Sequence, residues 1–229
     1  MTKISVIIPA YNEEATIVEI LQAVAAQSID GFDFEVIVID DASSDSTPKL
    51  LVENSDLYDR LLTLPQNGGK GAAVKLGLAH ASGDYCLFQD ADLEYSPEDY
   101  GQLLLPIIEF SADVVMGSRF SAPPYTRVHY FWHKIGNRLI TLVFNILNNT
   151  TFTDIYSCYL IYRRDLFDAK ELVTDGWGQH AEVLSRALKK AQIIYEVPIG
   201  YRGRGYGEGK KIKATDTFAV LWAIFRFRF

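Results

Sequence analysis

Tyr85-Cys86-Leu87-Phe88-Gln89-Asp90-Ala91-Asp92-Leu93-Glu94 is the stretch that decides the fold. An apolar run, Tyr85 to Phe88, leaves a core and meets three carboxylates within five residues. Acidic side chains crowded at a strand end repel one another unless a cation sits between them. A hard ion such as Mg²⁺ takes one or two protein carboxylates and fills its shell with water and substrate phosphates. The stretch therefore reads as a strand that delivers a metal holding a diphosphate. Taken alone, a solvated acidic turn is the better reading of an Asp-x-Asp, because short motifs match by chance. The rest of the chain reverses that balance.

Working outward, apolar runs alternate with helical patterns. Ile4 to Ile8 is a continuous apolar run closed by Pro9, the pattern of a buried parallel strand. Asn12 is placed to cap the next helix, with Glu13 and Glu14 in its first turn. Ile17, Ile20, Leu21 and Val24 share one helical face. Phe34 to Ile39 is a second strand, ending at Asp40-Asp41, and Arg60 to Leu64 a third. The turn Asn67-Gly68-Gly69-Lys70-Gly71 opens a helix running to about Ala81. Pro97 suits the first turn of another helix, and Asp113 to Met116 is a fifth strand. This rhythm predicts an α/β fold, a mostly parallel central sheet covered by helices on both faces. Ligands of such sheets sit beyond the carboxyl ends of the strands. Asp40, Asp41, Lys70, Asp90 and Asp92 all fall at or just after such ends.

Composition narrows the function classes. The 229 residues suit one large domain or two small ones, and 48% are apolar, enough for a sizeable core. A formal net charge of −7 argues against a nucleic-acid partner. Acidic residues crowd the first half, while Arg and Lys dominate from Arg202 onward. Cys86 and Cys158 lie in apolar surroundings without metal-ligand spacing and read as buried free thiols of a reducing compartment. Met1-Thr2-Lys3 runs straight into a strand with no signal peptide, and no apolar stretch reaches the ~18 residues of a membrane span. Tyr125 to Asn149 mixes aromatic, basic and aliphatic residues, Ile193 to Val197 is another strand, and Gly203 to Gly209 is a flexible, glycine-rich loop. Two amphipathic segments, around Leu139–Leu147 and Phe218–Phe225, fit a membrane interface, the sheet or a dimer contact equally.

Several motifs, taken in order, carry a resemblance to a known family. Pro9-Ala10-Tyr11-Asn12-Glu13, Asp40-Asp41-Ala42-Ser43-Ser44-Asp45-Ser46-Thr47, Gly68-Gly69-Lys70-Gly71 and Asp90-Ala91-Asp92 resemble, in order and spacing, the inverting family 2 glycosyltransferases. Gly117-Ser118-Arg119, Asn137, Asp154, Glu196-Val197-Pro198-Ile199 and Arg204-Gly205-Tyr206-Gly207-Glu208-Gly209-Lys210 are similar to dolichyl-phosphate mannosyltransferases and bacterial polyprenyl-phosphate relatives. The chain departs from that pattern in its acceptor half, at Tyr156 to Leu160, Gly209 and Lys134, and it ends without the transmembrane helices many relatives carry. The resemblance implies a GT-A nucleotide-sugar-binding fold over residues 1–211, with a nucleotide-binding half (1–118) and an acceptor half (119–211). An amphipathic helix follows over 212–229.

The same resemblance places Pro9, Tyr11 and Glu13 around the nucleoside, Asp40 on the base or ribose, and Asp41, Lys70, Asp90, Ala91, Asp92, Arg204 and Lys210 along the nucleotide sugar. Asp41 is equally read as a cap for the turn after it. Lys70 among glycines at a helix start suits an anion, or stands as a solvated turn lysine. Asp90 and Asp92, with Glu94 a further ligand or a surface residue, are expected to hold Mg²⁺ or Mn²⁺. Arg119, Arg127 and Lys134 are the acceptor-phosphate candidates, and Asp92, Arg119, Arg204 and Glu182 the catalytic ones. Glu182 serves as base for a hydroxyl acceptor or as an orienting group for a phosphate acceptor. His129, His133 and His180 lack metal-like spacing and read as structural or interfacial.

The expected activity is transfer of mannose or glucose from GDP-mannose or UDP-glucose to a polyprenyl or dolichyl phosphate, at the cytosolic face of a membrane to which the protein binds peripherally. The alternative is a soluble enzyme with a sugar or protein hydroxyl acceptor. A homodimer is a further expectation.

Overall fold

Continuous apolar runs need both faces of a strand covered, and the computed structural model shows this arrangement. It describes residues 1–121, 131–203 and 216–228. Among the described residues, seven strands form one sheet in the order β3-β2-β1-β4-β6-β5-β7. They are β1 (Thr2–Ala10), β2 (Phe32–Asp40), β3 (Arg60–Thr63), β4 (Tyr85–Phe88), β5 (Val114–Ser118), β6 (Leu160–Arg163) and β7 (Ile194–Pro198). The helices are α1 (Ile17–Ala25), α2 (Thr47–Glu53), α3 (Lys70–His80), α4 (Tyr100–Phe110), α5 (Phe131–Asn148), α6 (Gln179–Leu188) and α7 (Asp216–Arg228).

Alternate side chains of each strand serve opposite layers. Ile4, Val6 and Ile8 of β1 join Val36 and Val38 of β2 against Ile17 and Ile20 of α1, Leu51 of α2 and Leu103 and Leu104 of α4. On the other face, Ile7, Ile37, Ile39 and Phe88 pack with Ala73 and Val74 of α3, Phe144 of α5, Leu184 of α6 and Ile224 of α7. Each of these residues is under about a tenth exposed, and each large aliphatic side chain so buried contributes roughly 1.5–3 kcal/mol.

The sheet is mostly parallel, as expected, with one antiparallel strand. β6 runs antiparallel between β4 and β5, pairing Leu87 and Val115 with Ile161. Its four residues follow the Tyr156–Cys158 stretch, and their apolar run is too short to announce a strand. Asn12 is also corrected. It does not cap α1, which begins at Ile17 after Thr16. It takes a left-handed φ of 51°, and its side-chain oxygen accepts from the Ser44 N–H at 2.8 Å.

That bond belongs to a lattice tying together the loops after β1 and β2. Ser43 Oγ accepts from the Asn12 N–H, Thr47 Oγ1 from Glu13 N–H, Asp45 from Glu14 N–H, and Glu14 from Ser46 N–H. Side chains 31 or more residues apart along the chain thus build one rigid rim at the carboxyl edge. Left-handed backbone recurs there at Ala42 (φ 55°) and Leu93 (φ 61°). Non-glycine residues held in that region store local strain, which gathers at functional rims.

Candidate active site

β4 ends at Phe88, so Gln89 to Glu94 emerge at the carboxyl edge beside the ends of β1 and β2. Gln89 is fully buried and uses its whole amide. Its Oε1 accepts from the Tyr100 and Tyr159 hydroxyls at 2.9 and 2.7 Å. Its Nε2 donates to the Asp90 and Tyr95 carbonyls at 3.0 and 3.3 Å. A saturated buried amide is a fixed pivot, and it aims the backbone that carries Asp90. Sequence reasoning missed Gln89. The available signal was an amide ending an otherwise apolar strand.

Asp90 meets Lys70, whose ammonium donates to Oδ1 at 2.5 Å and to Cys158 Sγ at 3.1 Å. Burial opposes the charge on Lys70, yet Asp90 and Cys158 raise its pKa, so it stays protonated. Burial would likewise raise the Asp90 carboxyl, but Lys70 draws it below the usual range. Cys158 is corrected from a buried thiol to a partly exposed one lining this cluster, while Cys86 is buried as expected. Burial pushes both thiols up, Cys86 to about 12, so each stays protonated at neutral pH.

The glycine-rich turn does not offer the open amides a phosphate would need. The Gly68 and Gly69 N–H groups donate to the Asp41 carboxylate at 2.7 and 2.9 Å. The Gly71 and Ala72 N–H groups donate to the Asp175 carbonyl at 2.7 and 3.3 Å. Asp41 therefore caps the glycine turn, whose start lies 26 residues on, rather than the turn directly after it. Gly69 sits at φ 86°, a conformation a side chain rarely adopts, and a Cβ on Gly71 would meet the Asp175 carbonyl at 2.6 Å. These glycines seat the segment before α6 and leave the lysine, not the amides, facing Asp90.

Glu182 holds that segment from the other side. It is fully buried and accepts from the Val173 and Thr174 N–H groups and from Arg186 Nε. Its carboxylate is engaged in orienting the backbone that seats on Gly71. Arg119 is likewise pinned: Nε and Nη2 grip fully buried Asp154 at 2.6 and 2.9 Å, and its guanidinium lies 5.0 Å from the Tyr201 ring centre. Such a forked pair fixes direction as well as charge.

Asp92 Oδ1 accepts from the Glu94 N–H at 3.1 Å. Glu94 receives the Tyr201 hydroxyl on Oε2 at 2.8 Å and the Arg202 N–H on its carbonyl. The chain after β7 is thereby fastened beside the acidic stretch. Ala91 is buried, Pro9 is partly buried, and Tyr11 is 37% exposed at the rim. Glu13 is buried, and Asp40, also buried, accepts from the Ser43 N–H. Lys134 is exposed on α5, 5.9 Å from the Phe120 ring. Arg127, Arg204, Lys210 and nearly all of the loop from Gly203 to Gly209 lie outside the described residues. So do His129 and the side chain of His133.

The oxygen donors of Asp90 and Asp92 fit a hard divalent ion that also takes diphosphate and water. Among the described residues no three of His, Cys, Asp and Glu converge as a closed metal cage. An ion here would thus depend on substrate oxygens to fill its shell.

The family model for glycosyl transferase family 2 matches residues 5–169. The chain belongs to this family. It is 29% identical over 208 residues to the low-salt glycan biosynthesis hexosyltransferase Agl6 of Haloferax volcanii, covering 88% of this chain and 48% of that protein. It is 29% identical over 227 residues to the dolichol-phosphate mannosyltransferase of Pyrococcus furiosus, covering 98% and 63%. The chain thus spans about half to three-fifths of the length of these curated relatives. Among solved structures, glucosyl-3-phosphoglycerate synthase from Mycobacterium tuberculosis, in complex with Mn²⁺, UDP and phosphoglyceric acid, superposes with a TM-score of 0.73 at 22% identity, covering 99% of this chain and 78% of that one. S. aureus TarS 1-349 superposes at 0.66 and 21%, covering 99% and 72%. The fold of this family 2 chain is GT-A, as the resemblance implied.

Proposed function

We propose that the chain is a metal-dependent inverting hexosyltransferase that moves mannose or glucose from GDP-mannose or UDP-glucose to a polyprenyl phosphate. The observation that carries the donor half is the Lys70–Asp90 pair beside Asp92 at the carboxyl edge of β4. Asp90 and Asp92, with Glu94 near them, would hold Mg²⁺ or Mn²⁺, which screens the diphosphate and stabilises it as leaving group. Lys70 shifts from Asp90 towards the diphosphate when the donor binds. Pro9, Tyr11, Glu13 and Asp40 frame the nucleoside, and Arg204 and Lys210 bind the donor's phosphates.

An acceptor phosphate oxygen attacks the anomeric carbon in line. The new C–O bond forms as the bond to the nucleoside diphosphate breaks, and the departing diphosphate keeps the electron pair. An α-linked donor yields a β-linked phospho-sugar. A phosphate monoester has a second pKa of ~6 and is already a nucleophile at neutral pH. Arg119, held by Asp154, with Arg127 and Lys134, positions it. A hydroxyl acceptor would need a base. Glu182 and Asp154, the candidates for that role, are buried and bonded to N–H donors and to Arg119, which counts against the hydroxyl reading.

A lipid acceptor also accounts for an apolar face. Phe131, Ile135, Leu139, Leu142 and Ile146 recur along α5, and Phe218, Trp222 and Phe225 along α7, all exposed. Lys134, Arg138, Arg226 and Arg228 lie on the same two helices. Apolar and basic groups so combined suit a helix lying in an anionic membrane interface. No helix among the described residues is long and apolar enough to cross a membrane. Protein mixed with vesicles carrying polyprenyl phosphate, Mn²⁺ and labelled GDP-mannose or UDP-glucose should form labelled lipid. Transfer only to free sugars or peptides, with none to the lipid, would refute the acceptor assignment.

A further inference from the structure

His180 stands in the first turn of α6, and the described protein leaves its Nε2 buried and without a hydrogen-bond partner. Its ring meets Phe88, the last residue of β4, edge to face at 6.1 Å. The charged groups acting on it are Lys70, Asp90, Asp154 and Arg119, the members of the site itself. Burial first, and the cations Lys70 and Arg119 with it, hold its pKa down to about 4 against the pull of Asp90 and Asp154, so the ring is a neutral imidazole. An unpaired polar atom shut away from water is destabilising. Native structures keep such atoms where a ligand or a trapped water completes the bond.

The chemistry of the ring selects among ligands. A diphosphate is an anion and favours cationic partners, of which Lys70 is already one. A neutral imidazole offers one donor or one acceptor according to tautomer. A sugar hydroxyl supplies both and pairs with either. The Gln179 Nε2 is also buried and without a partner among the described residues. Gln179 is the adjacent position on α6, about 100° around the helix from His180. We propose that His180 is a further donor-site contact, hydrogen-bonding a hydroxyl of the transferred hexose and so helping to set which sugar is accepted. The proposal rests on the nucleotide-sugar reading above.

The test measures dissociation constants by calorimetry, with Mn²⁺ present, for GDP-mannose, UDP-glucose, GDP and UDP. Wild type should bind one of the nucleotide sugars more tightly than its matching diphosphate. His180→Phe keeps a flat ring without the nitrogens. It should weaken the nucleotide sugar by about 10-fold, as expected for one lost hydrogen bond, and leave the diphosphate unchanged within twofold. His180→Gln places an amide at similar reach and should recover most of the loss. It also carries the test if the phenylalanine variant does not fold. Equal weakening of sugar and diphosphate in both variants would make His180 structural and overturn the proposal, and so would unchanged binding throughout. Failure of wild type to bind any of the four would instead overturn the function reading itself, and this proposal with it.

Discussion

Two buried or half-buried carboxylates, each beside a lysine, lie at opposite ends of one sheet and are held in opposite ways. Near the amino ends of the strands, Glu35 accepts from Ser5 Oγ at 2.6 Å, Ser82 N–H at 2.9 Å, Ser82 Oγ at 2.8 Å and Lys3 Nζ at 3.4 Å. Arg60 adds a fifth positive or polar contact at 3.6 Å. At the carboxyl ends, Asp90 leans on one long side chain, Lys70, which also meets the Cys158 thiol, and the His180 imidazole packed on Phe88 leaves Nε2 without a partner among the described residues. The first arrangement is saturated by short, rigid neighbours and needs nothing more. The second is closed by a single lysine, which on the proposed reading an incoming diphosphate draws away. Saturation marks structure, and an incomplete polar cluster marks the place where a ligand finishes the network.

The contrast can be broken from the functional end first. Asp92→Ala should cut transfer by about 100-fold or more, because leaving-group stabilisation is lost. The melting temperature should stay within a few degrees. Labelled-sugar transfer and thermal denaturation together check this, and undiminished transfer would refute the metal role.

At the opposite end, Glu35→Gln should cost about 2–3 kcal/mol of stability by urea unfolding, with transfer rates unchanged within twofold. The pH dependence follows from the same residue. Burial alone would raise the Glu35 carboxyl, but Ser5, Ser82 and Lys3 hold it at about 2 against an ordinary 4.5. A lowered folded-state pKa stabilises above the unfolded value and loses that contribution as the pH falls. Wild type should therefore lose its advantage over Glu35→Gln between about pH 4.5 and 2, and a constant gap across that range would contradict the assignment.

The two lysines sharpen the comparison with the smallest effect. Lys70→Met should weaken nucleoside diphosphate binding by about 10-fold, roughly 1.4 kcal/mol. Lys3→Met should leave that binding unchanged, because Glu35 keeps its serine partners. Equal effects of the two on calorimetric affinity would erase the distinction.

What was legible in the sequence follows from the range over which each feature is set. β1, β2 and β4 announce themselves because strands covered on both faces read as unbroken apolar runs. The acidic residues at their ends are legible because position alone puts them on the rim. Asp41 and Glu182 were not legible in the same way, because their roles depend on partners folded against them: the Gly68 and Gly69 amides for one, residues 173 and 174 for the other. The glycine-rich turn promised a phosphate cradle, yet its amides go to Asp41 and to Asp175, a segment no local pattern links to it. β6 escaped notice because four residues within a tyrosine-rich stretch carry no period of their own. The stripes on α5 and α7 were visible as amphipathic segments, but only the packing shows that one face of each is exposed rather than core.

The central claim is that the carboxyl edge of β4 receives a cation and a diphosphate together. Crystals soaked with MnCl₂ and GDP or UDP, measured at the manganese absorption edge, test it most directly. The account predicts one anomalous peak between the Asp92 carboxylate and the diphosphate, with Lys70 moved from Asp90 towards the phosphates. A nucleotide bound away from that edge, with no peak near Asp90 or Asp92, would contradict it.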